Sequence, residues 1–183
     1  MKDLFIELDI DKEPYVKVIS EDKIINLTGE SGSGKSTYSQ QFINDDNYIV
    51  LDTDFINKGF DKATGENKRF GEYLRSKYDV LPHDCEEFDV LYKEMLEFYK
   101  DSDKTLVIDS AQFRNIKDIS LLKGKVIVIR TCINTCYERC ISRWKSRNEN
   151  YTEDELNKFM ERKKGMYSWY LSLNKFIEKV DNI

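Results

Sequence analysis

Short apolar runs alternate with longer amphipathic segments along most of the chain, from Lys23 onward. Short runs rich in Ile and Val are typical of buried strands, and they predict strands at Ile24–Thr28, Tyr48–Leu51, Thr105–Ile108 and Lys125–Arg130. Apolar residues at helical spacing predict helices at Ser36–Ile43, Lys68–Lys77, Cys85–Lys100, Asn134–Trp144 and Thr152–Leu173, with a final short strand at Phe176–Val180. Strands that alternate with helices predict a three-layer α/β fold with a mostly parallel sheet.

The first 20 residues have a different pattern. Apolar residues alternate with polar ones from Leu4 to Ile10, which predicts a half-buried strand. The segment Asp11–Pro14 is a turn candidate, and Tyr15–Ile19 has the pattern of a returning strand. We therefore expect an N-terminal β-hairpin, residues 1–20, added to the α/β domain.

Length and composition predict one globular domain covering residues 1–183. With 40% hydrophobic and 34% charged residues, the chain can bury a core and is unlike a disordered protein. Its longest aliphatic run, Val126–Ile129, is much shorter than the roughly 20 residues of a membrane span. Acids within the N-terminal apolar run exclude a secretory signal. We therefore expect a cytoplasmic protein with no membrane contact.

The four cysteines do not form a pattern typical of disulfides or zinc sites. Cys132, Cys136 and Cys140 recur at every fourth position, which predicts a buried helical face of reduced thiols. Cys85 stands apart from them.

The charge is unevenly distributed along the chain. The net charge is −5 with a pI of about 5.1, which argues against a general nucleic-acid binder. The segment Ala111–Asn148, however, holds nine basic and two acidic residues and is net +7. A basic segment in an acidic protein favours a compact, highly charged ligand over a long polyanion.

The motif G-x-x-x-x-G-K-[ST] lies at Gly29–Ser36, between a predicted strand and a predicted helix. In that context it predicts a phosphate-binding loop, because backbone amides and a helix N-terminus together hold phosphates. Lys35 would neutralise the β- and γ-phosphates, and the Ser36 hydroxyl would bind Mg²⁺. The predicted nucleotide-binding residues of the loop are Gly29, Ser31, Gly32, Ser33, Gly34, Lys35, Ser36 and Thr37.

Three aspartates follow predicted strands. Asp52 and Asp54 come at the end of the second strand, and Asp109 ends the third. The carboxyl ends of parallel strands face the ligand crevice, so Asp109 is predicted to orient the water shell of the metal. Asp52 and Asp54 are expected to point the same way from an extended segment, so one of them can hold a magnesium-bound water while the other reaches the phosphate acceptor.

Arginines recur every four residues on the helix after the fourth strand, at Arg139, Arg143 and Arg147. A row of arginines on one face suits a reaction that depends on charge stabilisation. Arg162, on the next predicted helix, could approach the same site. Each of these side chains could instead form a surface ion pair.

These motifs resemble those of the P-loop small-molecule kinases, the group of gluconate, shikimate, adenylylsulfate and adenylate kinases within the P-loop NTPase fold. Leu51–Asp54 resembles the L-D-x-D element of two of these kinases, and Tyr137–Arg143 resembles the segment that leads into their mobile lid, here short, at about 145–152. The resemblance implies that Arg139 lies against adenine and that Arg143 and Arg162 contact phosphates. It also implies that Asp54 contacts or deprotonates the acceptor and that Asp52 serves the magnesium shell. It covers residues 24–181.

The predicted function is therefore ATP- and Mg²⁺-dependent phosphorylation of a small-molecule acceptor, such as a nucleoside, nucleotide or sugar, with Lys35, Asp54 and Arg143 as catalytic residues. The acceptor would lie in Lys58–Lys100, a region with no specific binding motif. Three alternatives stay open: a polynucleotide 5′-kinase, a mechanochemical or transport ATPase, and a nucleotide-binding protein without catalysis. The oligomeric state is open as well.

Overall fold

Five strands form one twisted sheet in the computed structural model, which describes residues 12–57 and 63–183. The strands are β1 (Lys12–Val18), β2 (Ile24–Gly29), β3 (Tyr48–Asp52), β4 (Thr105–Asp109) and β5 (Lys125–Arg130). Their order in the sheet is β1-β5-β2-β4-β3, with β2 to β5 parallel and β1 antiparallel to β5. The predicted parallel α/β sheet is confirmed, and its four predicted strands agree with β2 to β5 to within one residue.

Helices connect and cover the strands. They are α1 (Lys35–Ile43), α2 (Asp54–Asn57), α3 (Gly65–Lys77), α4 (Phe88–Tyr99), α5 (Ile133–Arg147), α6 (Glu153–Lys163) and α7 (Met166–Asp181). Two short 3₁₀ helices, Ala111–Asn115 and Ile119–Leu121, lie between β4 and β5. No helix among these is long and apolar enough to cross a membrane, within the part of the chain that the structure describes.

The sheet is buried on both faces. In β4, Leu106 and Ile108 pack into the larger hydrophobic cluster with α4 and α7, whereas Val107 between them packs on α1 in another cluster. This alternation follows from the two-residue period of a strand. Both faces need apolar residues, which explains why the strands appear in the sequence as continuous aliphatic runs.

The C-terminal segment differs from the sequence prediction in two ways. The predicted helix Thr152–Leu173 is two helices, α6 and α7, which are separated by Lys164 and Gly165. The predicted strand Phe176–Val180 is wrong, because these residues continue α7. Leu173, Phe176 and Val180 are all buried, and their spacing of three and four residues is that of one helical face.

The N-terminal strand is tied to α7. β1 begins three residues before the predicted strand Tyr15–Ile19, and it pairs with β5. The Tyr15 hydroxyl donates a hydrogen bond to Asp181 Oδ1 at 2.6 Å, and Lys17 Nζ donates to the Val180 carbonyl at 2.8 Å. The other half of the predicted hairpin, Leu4–Ile10, lies outside the described residues.

Candidate functional site

The phosphate-binding loop joins the end of β2 to the start of α1. Gly32 and Gly34 have φ angles of +83° and +92°, which residues with a side chain rarely adopt. A Cβ on Gly32 would lie 2.4 Å from the Cys136 carbonyl oxygen, so the loop packs directly on the backbone of α5. Further contacts from the same region hold it: Thr131 Oγ1 donates to the Ser33 carbonyl at 2.6 Å, and Arg139 Nη1 donates to the Gly32 carbonyl at 3.2 Å.

The predicted buried cysteine face forms this packing surface. Cys136 and Cys140 belong to a small hydrophobic cluster with Ile133 and α7. The Cys140 sulfur lies 3.3 Å from Ser31 Oγ. Burial raises the pKa of Cys136 to about 12, so this thiol is neutral at physiological pH. The expectation of a buried helical face is confirmed for these residues.

An ion pair joins Lys35 to Asp109 at the centre of the site. Lys35 Nζ lies 2.5 Å from Asp109 Oδ1, and the two side chains are 12% and 4% exposed. Asp52 stands directly opposite Asp109 in the β3–β4 pairing. Ser36, Asp52 and Asp109, the three predicted metal ligands, all line one cavity of about 420 Å³. The structure therefore brings a hydroxyl and two carboxylates together beside the lysine.

Burial raises the pKa of Asp52 above its ordinary value, and the negative charges of Asp54 and Asp109 add to the effect. The Asp54 amide and the Lys35 ammonium oppose it without cancelling it. A second cation in this cavity would relieve the repulsion between the carboxylates, and carboxylate and hydroxyl oxygens are the ligands that Mg²⁺ prefers. The donor set thus fits the predicted metal.

Asp54 does not continue an extended segment, and that part of the prediction is wrong. The chain turns after Asp52, and Asp54 opens the short helix α2, where its amide donates to Asp52 Oδ1 at 2.9 Å. Thr53 points inward instead, and its hydroxyl donates to Ser110 Oγ at 2.7 Å. Asp54 is exposed beside Phe55, which does line the 420 Å³ cavity.

A second cavity, of about 660 Å³, also adjoins the loop and shares no lining residue with the first. It is lined by Gly32, Gly34 and Thr37 of the loop and α1, by Arg139 and Arg143 of α5, and by Pro14 and Ile129 of the two adjoining strands. Both arginines are exposed, so their guanidinium groups can reach a ligand in this cavity. The predicted adenine and phosphate contacts on α5 are thus next to the loop.

Arg162 is not brought to this place. It lines a separate cavity with Trp144 and Arg147, and its guanidinium lies 5.9 Å from the centre of the Phe159 ring. Within the described residues no ion pair joins it to the phosphate-binding loop, so its role as a phosphate ligand stays a prediction.

Two polar groups beside the carboxylates have no signal in the sequence. Asn67 of α3 accepts the Asp52 amide on its Oδ1 at 2.9 Å and so fixes the end of β3. Glu66 lines the same cavity and accepts hydrogen bonds from Arg69 at 2.8 Å and from the Tyr99 hydroxyl at 3.0 Å. Of the predicted acceptor region Lys58–Lys100, these first residues of α3 face the cavity, and residues 58–62 lie outside the described chain.

A buried ion pair lies behind the loop. Glu30 Oε2 accepts from Arg114 Nη1 at 3.0 Å, with side chains that are 2% and 7% exposed, and its Oε1 accepts from the Ser31 amide at 2.7 Å. The Arg114 guanidinium also lies 4.7 Å from the ring centre of Trp169. An acid inside a phosphate-binding loop is the one signal that the sequence offers for this pair, and the partner is 84 residues away.

Of the comparisons with known proteins, the one with solved structures found matches, and it agrees with the fold. No family model matches the chain, and no curated protein matches it. Among the solved structures that match is a chain from the Pnkp1/Rnl/Hen1 RNA repair complex, with a TM-score of 0.50 and 19% identity over 85% of this chain. The present chain spans 45% of the length of that one. At this identity the likeness concerns the fold alone, and the chain shares its α/β architecture with a component of an RNA repair complex.

Proposed function

We propose that the protein is a P-loop phosphotransferase that moves the terminal phosphoryl group of ATP to a hydroxyl group. One observation carries the proposal: two cavities that share no lining residue both adjoin the phosphate-binding loop. The loop glycines and two exposed arginines line one, whereas Ser36 and the strand-end carboxylates line the other. A donor nucleotide and an acceptor could thus meet at Lys35.

The residues of the donor side suit a triphosphate. The loop amides and the N-terminus of α1 would bind its phosphates, and Arg139 and Arg143 would neutralise charge that develops during transfer. Lys35 would exchange Asp109 for the β- and γ-phosphates. That exchange would release Asp109 to hold, with Ser36, a magnesium ion, which would supply positive charge to offset the charge of the phosphates.

The transfer step forms one bond, breaks one bond and moves one proton. A bond forms between the acceptor oxygen and the γ-phosphorus as the bond from that phosphorus to the ADP oxygen breaks, and the acceptor proton passes to a carboxylate. Asp54 is the predicted proton acceptor. Asp52 is the competing candidate, because it lines the acceptor cavity and burial keeps its pKa high, as suits a group that must accept a proton.

For the acceptor we favour the 5′-hydroxyl end of a polynucleotide over a small metabolite. The likeness to a chain of an RNA repair complex supports this choice. The +7 segment Ala111–Asn148, which includes both arginines of the donor cavity, is compatible with it. The small-molecule alternative draws its support from the resemblance of Leu51–Asp54 to metabolite kinases.

The test is transfer of label from γ-labelled ATP in the presence of Mg²⁺. The acceptor panel contains 5′-hydroxyl RNA and DNA oligonucleotides, nucleosides, nucleotides and sugars. Lys35→Met should abolish transfer, and Lys100→Met, which changes an exposed charge on α4's C-cap, should not. Asp54→Asn and Asp52→Asn separate the two candidate bases: loss of turnover with unchanged ATP affinity identifies the base. No labelled product with any acceptor would refute the proposal.

A further inference from the structure

The end of α5, the segment 148–152 and α6 enclose a cavity of about 530 Å³ that the proposed transfer reaction does not use. We call it the lid cavity. Trp144 and Tyr151 form its apolar part, and Arg147, Lys158 and Arg162 its basic part. None of its lining residues also lines the donor or the acceptor cavity.

The aromatic rings of the lid cavity lie outside the protein's core. Trp144 and Phe159 stack with ring centres 5.1 Å apart and an angle of 19°, and Tyr151 lies 5.4 Å from Trp144. All three remain partly exposed, and none belongs to a buried hydrophobic cluster of the described residues. Helix α6 itself has no buried residue. A lid that buries so little leaves aromatic surface available for a ligand.

The cations of the lid cavity form no close ion pairs with acids of the described residues. Arg147, Lys158 and Arg162 are all exposed, and within residues 12–57 and 63–183 none of them forms an ion pair. By contrast, exposed Lys100 and Lys164 are each paired with a glutamate on the preceding turn. Lys158 does interact electrostatically with Glu155, one turn before it on α6. Arginines and a lysine around an aromatic surface attract a ligand that is both planar and anionic.

The acids nearby do not cancel this charge. Glu155 lines the cavity, but it is held in the capping box of α6, where it accepts from the Thr152 amide at 2.8 Å. Glu149 is the other lining acid, and it is exposed. With three basic and two acidic side chains the cavity lining is net positive. Beyond the lining, Lys145 lies 5.9 Å from the Tyr151 ring centre and Lys163 5.6 Å from that of Phe159, while the first turn of α6 also carries the exposed acids Glu153 and Asp154.

We infer that the lid cavity binds a single-stranded segment of the polynucleotide, with bases on Trp144 and Tyr151 and backbone phosphates on Arg147, Lys158 and Arg162. Alternating stacking and phosphate contacts are how proteins hold single strands without reading their sequence. The inference rests on the proposed polynucleotide acceptor, and it adds a second contact region for the same substrate. It also gives Arg162 a role other than the predicted contact with ATP.

Tryptophan fluorescence tests the inference without any turnover. The chain has two tryptophans, so Trp169→Phe leaves Trp144 as the single reporter. In this background, a 5′-hydroxyl RNA of about twelve nucleotides should quench the emission, because a stacked base lies on the indole. Tyr151→Ala should weaken binding about fivefold to 150-fold, the effect of losing one base–aromatic stack.

The charge variants provide the matched comparison. Arg147→Ala/Arg162→Ala should weaken RNA binding and reduce the slope of log K against log salt by about 1.4, since each lost phosphate contact contributes about 0.7 for a single strand. The control Lys68→Ala/Lys100→Ala removes two exposed cations that are already paired, and it should leave affinity and slope unchanged.

Three results would overturn the inference: no quenching by RNA, an unchanged salt slope in the arginine variant, or full quenching by ATP alone with no further change on adding RNA. The last result would assign the cavity to the donor nucleotide. Binding and transfer are read separately. Labelled RNA product without quenching would refute RNA binding in the lid cavity and leave the proposed function standing. Quenching without labelled product would refute the proposed function and leave RNA binding in the lid cavity standing.

Discussion

Replacing Arg114 by Met leaves the Glu30 carboxylate buried and without its cation. Glu30 is 2% exposed and Arg114 7%, so solvent screens the remaining carboxylate only weakly. Met has a similar volume and fills much of the space. The variant therefore removes the charge and its hydrogen bond at 3.0 Å with little change in packing.

The expected loss of stability is large. Removing one partner of a buried ion pair costs about 3–5 kcal/mol, because the remaining charge is uncompensated. That corresponds to more than about a hundredfold in the unfolding equilibrium constant. An exposed pair behaves differently: Lys100→Met breaks a pair whose side chains are both 56% exposed, and solvent already screens that pair, so the variant should unfold at nearly the same urea concentration as the wild type.

The double variant Glu30→Gln/Arg114→Met gives the sharper measurement. The glutamine that replaces Glu30 keeps a carbonyl oxygen that can accept a hydrogen bond from the Ser31 amide. No buried charge remains, so we expect the double variant to regain most of the stability that Arg114→Met loses. Urea denaturation of the wild type, both Arg114 variants and Lys100→Met gives the free energies of unfolding, provided that the slopes stay equal. If the double variant is as unstable as Arg114→Met alone, the buried charge is not the cause, and the reasoning fails.

Three further outcomes follow from the same structure. Gly32→Ala should abolish nucleotide binding and destabilise the protein by more than Gly65→Ala. Both glycines have a positive φ, which costs a residue with a side chain about 1–2 kcal/mol, but only a Cβ at Gly32 would meet backbone, at 2.4 Å. Equal shifts in melting temperature would contradict this. Burial alone would raise the pKa of Glu94, but hydrogen bonds from three donors outweigh burial and lower that pKa, so Glu94→Gln should cost about 1.5–3 kcal/mol at pH 7. The wild-type advantage should shrink as the pH falls below the ordinary value of 4.5, and a difference independent of pH would refute the assignment. The raised pKa of Asp52 means that ionisation of this carboxyl destabilises the folded protein, so Asp52→Asn should raise the melting temperature at neutral pH and lose that advantage below about pH 3.8. Mg·ATP should stabilise this variant less than it stabilises the wild type. A lower melting temperature of the variant at pH 7 would contradict the prediction.

The strands, the loop and the place of the loop between a strand and a helix could be predicted, because each depends on a local sequence pattern. In such a fold a short continuous aliphatic run forms a strand that is buried on both faces. The glycines of Gly29–Ser36 permit the positive φ angles that the loop needs. The C-terminal error has a local cause as well. Ile177 and Val180 next to Phe176 raise the β-propensity of a segment whose tertiary contacts favour a helix.

The missing parts of the site depend on topology. Arg114 meets Glu30, and Asn67 meets Asp52, only after the strands have been ordered, and no spacing in the sequence relates these residues. Asp54 illustrates a different limit. The D-x-D pattern fitted an extended segment, but an Asp side chain also accepts the amide two residues on, and that competing geometry prevails here.

Helix α6 has a further consequence for how the protein opens. It is capped by Thr152 and Glu155 and has no buried residue, so its own local interactions, with few core contacts, hold it in place. Its amide hydrogens should therefore exchange with solvent through a local opening, long before the sheet unfolds. A substrate that covers this helix would slow that exchange and would be opposed by the entropy lost when the helix is held closed.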